Sequence, residues 1–201
     1  GNLLPLTFTR PVAMLRVGIL TIMEKWQRDL PGTYSCSTPL YLSEKFPTTI
    51  HPHDNIVIAS HIMPSTALVR AIQALEPGQG LKWGDELVAW RGHWEEMPQE
   101  IIMLTEEPRA IRQLYHIFGT NDEQLIRDFV PLTRGRRSQP LSSTNTVIGD
   151  KKLIFLEEGA TVEGATLNTR RGPIYVGRNA EIMEGACIRG GLAMLEGSVV
   201  N

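Results

Sequence analysis

The sequence predicts an α/β layered domain over residues 1–145, followed over 146–201 by the opening coils of a parallel β-helix built from hexapeptide repeats. Two observations carry this reading. First, Val176, Ile182, Ile188, Met194 and Val200 stand at steps of six, with Ala180, Ala186 and Ser198 two places before three of them and Leu192 as the exception. Glycines at 177, 185, 190, 191 and 197 fill the spaces between. Helices repeat every 3.6 residues and strands every 2. A six-residue step with an inward aliphatic, a small corner residue and turn-forming residues belongs to a solenoid whose coils have short flat sides. A weaker copy lies upstream, where Leu156 and Val162 keep the step and Ala160 takes the small place; Arg170-Arg171-Gly172-Pro173 then shifts the phase by two before Ile174. Second, before about residue 145 apolar residues at helical spacing alternate with a short run rich in Ile and Val, which is the pattern of α/β layers.

Taken in order, Gly1 to Arg10 reads as a loop, with Thr9 as an N-cap and Pro11 in the first helical turn. Val12, Leu15, Ile19, Ile22, Trp26 and Leu30 recur at spacings of three and four, which predicts one amphipathic helix ended by Pro31-Gly32. Asn55 to Ala59 reads as a buried strand, and Ser65 caps a helix carrying Leu68, Ile72 and Leu75. Leu81 to Trp83 and Glu86 to Trp90 flank Gly84-Asp85 as a hairpin, expected as an edge insertion. Trp94 to Arg109 has no clear period. Asn121 with Gln124 reads as a capping box that starts a short helix through Leu125, Ile126 and Phe129. The polar Ser142-Ser143-Thr144-Asn145 stretch marks the boundary, with the β-helix entering at about Thr146.

Composition narrows the function classes. With 42% hydrophobic and 21% charged residues the chain is ordinary for a globular protein, and a net charge of -2 argues against a dedicated binder of nucleic-acid polymers. No apolar run reaches the length of a membrane span and no signal peptide opens the chain, so a cytoplasmic protein is expected. Cys36 and Cys187, far apart, read as free thiols of a reducing compartment. The chain opens on Gly1 without a methionine, and the repeat runs into Asn201 without a change of composition. It is therefore expected to be a piece of a longer protein, or to have its last coil covered by a partner.

The chemistry points to the opening. Pro5-Leu6-Thr7, Pro11 and Gly18 match the spacing that follows the phosphate loop in sugar-1-phosphate nucleotidyltransferases. The chain resembles the bacterial N-acetylglucosamine-1-phosphate uridylyltransferase family, and more closely a divergent branch of sugar nucleotidyltransferases. Phrases similar to Leu6-Thr7-Phe8-Thr9-Arg10-Pro11, Arg16-Val17-Gly18-Ile19-Leu20-Thr21, Leu167-Asn168-Thr169, Gly172-Pro173-Ile174-Tyr175-Val176-Gly177 and Glu181-Ile182-Met183-Glu184-Gly185 recur there. The resemblance implies a Rossmann-like nucleotidyltransferase domain, incomplete at its start, and a left-handed parallel β-helix. It implies attack of a sugar-1-phosphate on a nucleoside triphosphate with Mg²⁺ present. It also implies a homo-oligomer, trimeric through the full β-helix, and an acetyl-CoA-dependent acyltransferase site in a longer parent.

In such a site Arg10 and Arg16 are the expected catalytic cations, because guanidinium binds phosphate bidentately and stays charged. Thr7, Thr9 and Gly18 are the expected substrate contacts beside them. The bland alternative makes both arginines surface residues at a helix terminus and a helix face. Arg134 and Arg136, with Arg137, form a basic run around Gly135 that is expected either to receive a phosphate or to pair with acidic neighbours. Two departures stand out: Val12 occupies the place of the family's lysine, and Ala59-Ser60-His61 ends where the family carries a metal-binding aspartate. No metal ligand is therefore assigned. These departures support a rival reading, a non-catalytic module that binds a nucleotide sugar or holds an oligomer together. His51, His53, Asp54 and His61 form a loose transition-metal pattern, but Pro52 favours an exposed turn. Trp83, Trp90 and Trp94 are read as packing residues.

Overall fold

The computed structural model describes residues 2–201; Gly1 lies outside them. The chain forms two compact units. One comprises the residues up to Arg16 with Leu20–Ile117, the other Val17–Ile19 with Phe118–Asn201.

In the first unit a short 3₁₀ turn, Val12–Met14, follows the opening loop, and Arg16 forms an isolated antiparallel bridge with Thr21. Helix α1 (Ile22–Asp29) begins only there. The single helix expected from Val12 to Leu30 is thus divided, and its N-cap is Thr21 rather than Thr9. The cause is local. Gly18 takes a left-handed φ of 83°, which a helix does not tolerate. Thr21 and Glu24 then close a capping box: Thr21 Oγ1 accepts the Glu24 N–H at 3.1 Å, and Glu24 Oε2 accepts the Thr21 N–H at 2.7 Å. Buried Ile22 and Trp26 lie on the inner side of α1, and Trp26 Nε1 donates to Ile62 O at 2.8 Å.

After α2 (Leu40–Ser43), strand β1 (Asn55–Ile58) leads to α3 (Thr66–Gln73), where Ser65 Oγ accepts the Leu68 N–H at 3.1 Å as expected of its cap. β2 (Gln79–Trp83), β3 (Glu86–Gly92) and β4 (Glu100–Met103) complete a sheet of order β1-β3-β2-β4. β3 pairs antiparallel with both β1 and β2, while β4 runs parallel to β2. The hairpin is therefore the centre of the sheet and not an edge insertion. Its buried residues explain the place: Gly80, Leu81, Val88 and Ala89 are enclosed, and Gly80 leaves room for Pro98, which an added Cβ would meet at 2.6 Å. β4 comes from the stretch without a clear period. All four of its residues are exposed, so no inward face marks it in sequence.

Helix α4 (Leu114–Thr133) contributes to the second unit from Phe118 onward. It starts well before Asn121, which is an interior residue and caps nothing. Nine short strands follow: β5 (Thr146–Ile148), β6 (Ile154–Leu156), β7 (Thr161–Val162), β8 (Thr166–Asn168), β9 (Ile174–Val176), β10 (Glu181–Ile182), β11 (Cys187–Arg189), β12 (Leu192–Met194) and β13 (Val199–Val200). They stack as three parallel sheets, β5-β8-β11, β6-β9-β12 and β7-β10-β13, so each coil gives one strand to each side. This is a parallel β-helix. The six-step Val176, Ile182, Ile188, Met194, Val200 places one residue of each strand from β9 to β13 in a common core, with Ala165, Ala180 and Ala186 buried among them. The Arg170 to Pro173 insertion is the loop between β8 and β9.

The polar stretch before β5 closes the first coil. Ser138 Oγ accepts the Leu156 N–H at 2.9 Å and the Gln139 N–H reaches Leu156 O at 2.9 Å. Asn145 donates to Val162 O at 2.7 Å and accepts from the Ala165 N–H at 2.9 Å. Edge groups that would otherwise invite another strand are satisfied internally. On the outer side of the second sheet, Phe155, Tyr175 and Ala193 stand in register and pack with Ile19, Leu125 and Phe129. Among the described residues no helix is long and apolar enough to cross a membrane.

The inward stack predicts a position-specific result. Ile182→Ala, at a fully buried site, lowers unfolding free energy by about 2–5 kcal/mol in urea titration. The exposed neighbour change Glu181→Ala stays within about 0.5 kcal/mol. Equal effects of the two would contradict the stacking.

Candidate functional site

The opening segment of the first unit carries the expected anion-binding groups. Thr7 is half-buried, Thr9 and Arg10 are exposed, and none of the three side chains has a polar partner among the described residues. Arg16 differs: its Nη1 lies 3.2 Å from Glu24 Oε2, the oxygen that also accepts the Thr21 N–H. The capping box therefore fixes Arg16 as well as the helix start, while its side chain stays 36% exposed. Val12, half-buried in the 3₁₀ turn, brings no charge to this segment.

A second cluster in the same unit was not visible in sequence. His61 Nε2 lies 2.5 Å from Glu86 Oε1, and Arg112 Nη2 lies 2.6 Å from Glu86 Oε2. Arg112 Nη1 also reaches Glu107 Oε1 at 3.3 Å. The pairing of residues 61–63 with 109–111 brings these groups together, since the Ile111 N–H donates to His61 O and the Met63 N–H to Arg109 O, both at 2.8 Å. Burial alone would raise the Glu86 carboxyl, but hydrogen bonds from Arg112 and His61 outweigh it and hold the group below its ordinary 4.5. Glu86 thus stays ionised with both oxygens engaged. Mg²⁺ takes octahedral oxygen ligands and dehydrates reluctantly. An imidazole and a fully engaged carboxylate do not fit such an ion, and no group of three metal-binding side chains gathers among the described residues. At the other histidines, Asp54 is held by Arg91 at 2.7 Å, and the His51 and His53 rings lie 6.4 Å apart.

In the second unit Gly18 has its N–H on Asn121 Oδ1 at 2.9 Å, and the next amide, of Ile19, donates to Asp128 Oδ2 at 3.0 Å. The expected substrate contact Gly18 is buried, its N–H already used. Asp128 escaped the sequence reading, although a polar residue on the same helical face as Leu125 and Phe129 is the signal that marks it. Arg134 is exposed and without a partner among the described residues. Arg136 is committed: Nη2 lies 2.5 Å from Glu157 Oε2, Nη1 donates to Leu132 O at 3.1 Å, and the guanidinium lies 5.2 Å from the Phe155 ring centroid. Tyr175 O–H donates to Glu157 Oε1. Burial pushes the Glu157 carboxyl up, and the hydrogen bonds from Arg136 and Tyr175 more than reverse it. The structure therefore gathers Arg16 with Glu24, Gly18 with α4, and Arg136 with Glu157, and leaves Thr7, Thr9, Arg10 and Arg134 open.

Two predictions follow from these contacts. Gly18→Ala combines a left-handed φ with a Cβ 2.7 Å from both Asp128 Oδ2 and the Gln124 carbonyl carbon, and costs on the order of 2 kcal/mol by thermal unfolding. Glu86 and Glu157 titrate lower folded than unfolded, so their stabilisation is complete above about pH 4.5 and is lost as pH falls through the folded values. Unfolding free energy measured from pH 6 down to about pH 3 declines less steeply in a Glu86→Gln/Glu157→Gln variant than in the parent; parallel profiles would contradict this.

Among curated proteins no match is found. A family model described as sugar nucleotidyl transferase matches residues 1–137, which takes in the opening segment, the His61 cluster, α4 and the basic run. That span is more than half of the 201 residues, and the chain belongs to the sugar nucleotidyl transferase family.

Proposed function

We propose that the chain transfers a nucleotidyl group from a nucleoside triphosphate to a sugar-1-phosphate, with the opening segment as the phosphate site. A phosphate oxygen of the sugar-1-phosphate attacks the α-phosphorus in line; the new O–P bond forms as the bond to the leaving pyrophosphate breaks. Such transfer needs no covalent enzyme intermediate. It needs two anions held in line and cations placed on the transferring group. Arg10 is the group best suited, because among the described residues no carboxylate competes for its fork. Arg16 adds a second cation pre-positioned by Glu24, and Thr7 and Thr9 supply hydroxyls. Gly18 acts through backbone shape, since its N–H is held by Asn121. Arg134 is the open cation of the basic run, and Arg136 steadies it through Glu157. We place this activity in a reducing compartment, which suits the two free thiols, and in a homo-oligomer built through the β-helix.

The observation that carries the proposal is the family match across a segment holding an uncompensated arginine. Pyrophosphate release, assayed with a panel of nucleoside triphosphates and hexose-1-phosphates in Mg²⁺ buffer, tests it. Arg10→Ala is expected to lower kcat/KM about 100-fold with an unchanged melting temperature. Release by the variant at the parent rate, or no release from any pair, overturns the proposal. A second reading has specific support: Val12 is uncharged and His61 is tied to Glu86, so the family's lysine and aspartate have no equivalents there. Sugar-nucleotide binding without pyrophosphate release selects it. An acetyl-CoA arm in the same assay tests the acyl transfer expected of a longer parent.

A further inference from the structure

The second unit contains a cleft of about 520 Å³ whose two lysines have no part in the nucleotidyl transfer proposed above. Thr133, Arg136, Ser138, Leu141, Lys151 and Lys152 are among the residues that line it. Its volume falls in the range of small-molecule sites. The charges around it do not cancel. Arg136 is neutralised by Glu157 at 2.5 Å, and Asp150, which caps the 3₁₀ turn Lys151–Leu153 by accepting the Lys152 N–H at 2.9 Å, keeps a single negative charge against the two lysines, so the turn carries a net positive charge. The ammonium groups of Lys151 and Lys152 have no partner among the described residues.

The hydroxyl donors are also used. Thr133 Oγ1 donates to Phe129 O at 2.8 Å and Ser138 Oγ to Gln139 O at 2.9 Å. What remains to meet a ligand is a pair of strongly hydrated point charges beside a wall fixed by the Arg136–Glu157–Tyr175 contacts. Ammonium pairs of this kind suit a compact dianion, since charge-assisted hydrogen bonds to phosphate are the strong ones and need no fork geometry. The room beyond the lysines exceeds what a bare phosphate fills.

We propose that this cleft binds the phosphate group of a small phosphorylated ligand through Lys151 and Lys152. The sources of that chemistry are a sugar phosphate or a nucleotide. The proposal stands apart from catalysis and is read by binding alone.

Calorimetric titration of the whole chain in the Arg10→Ala background, at low ionic strength, separates this cleft from the opening segment. The probes are inorganic phosphate, glucose-1-phosphate and UTP. At least one is expected to bind, and Lys151→Ala/Lys152→Ala is expected to weaken it about tenfold or more, with Lys151→Glu/Lys152→Glu weakening it further. Both lysines are exposed, so the melting temperature stays unchanged and serves as the folding control. Preference for glucose-1-phosphate identifies a sugar phosphate as the source, and preference for UTP a nucleotide. Binding that is equal in the double variants, or no binding of any probe before the lysines are changed, overturns the proposal. Pyrophosphate release by the otherwise native chain carrying the double alanine change reports separately on nucleotidyl transfer.

Discussion

Asp128 is fully buried on α4, and its Oδ2 accepts the Ile19 N–H at 3.0 Å while Asn121, two turns earlier, takes the Gly18 N–H. A buried carboxylate is costly unless hydrogen bonds replace its water. Here the Ile19 amide provides part of that replacement, and the left-handed Gly18 beside it sends its own N–H to Asn121. That glycine stops the helix that the apolar spacing would otherwise run from Val12 to Leu30. The segment therefore leaves the first unit for three residues, Val17–Ile19, and helix α1 restarts on the Thr21–Glu24 capping box. Glu24 in turn holds Arg16. Within the first unit the helix start and the placement of Arg16 are one linked arrangement.

What the sequence makes legible depends on how local the determining contacts are. The β-helix is readable because every sixth residue faces one interior, and the register of β9 to β13 follows that step. The caps at Ser65 and the Gly84-Asp85 turn are local and are readable for the same reason. The divided helix is not, since the pattern Ile19, Ile22, Trp26, Leu30 is satisfied by residues that bury against different partners: Ile19 packs with Leu125 and Phe129, whereas Trp26 donates to Ile62. Asn121 imitates a cap because an Asn side chain serves long-range bonds as well as local ones, here to the Gly18 N–H. The His61–Glu86–Arg112 cluster joins residues 25 and 26 positions apart and leaves no spacing to detect.

The arginines show how structure sharpens a functional reading that charge alone leaves open. Arg16, Arg91, Arg112 and Arg136 all face carboxylates within 3.2 Å. Their main effect is to hold backbone segments in place, with modest energies at partly exposed sites. Among the described residues Arg10 and Arg134 have no such partner. Family membership supplies the class of reaction, and this division indicates which cations are available to perform it.

Side chains of α4 hold the Gly18–Ile19 backbone, and amide hydrogen exchange tests this most directly. In the unmodified chain the Gly18 and Ile19 amides are expected among the slowly exchanging set. In Asp128→Ala the Ile19 amide is expected to exchange at least about tenfold faster, while Ile126→Ala, at an exposed position on the same helix, leaves it unchanged. Rapid exchange of both amides in the unmodified chain, or an Ile19 rate indifferent to the loss of Asp128, would contradict it.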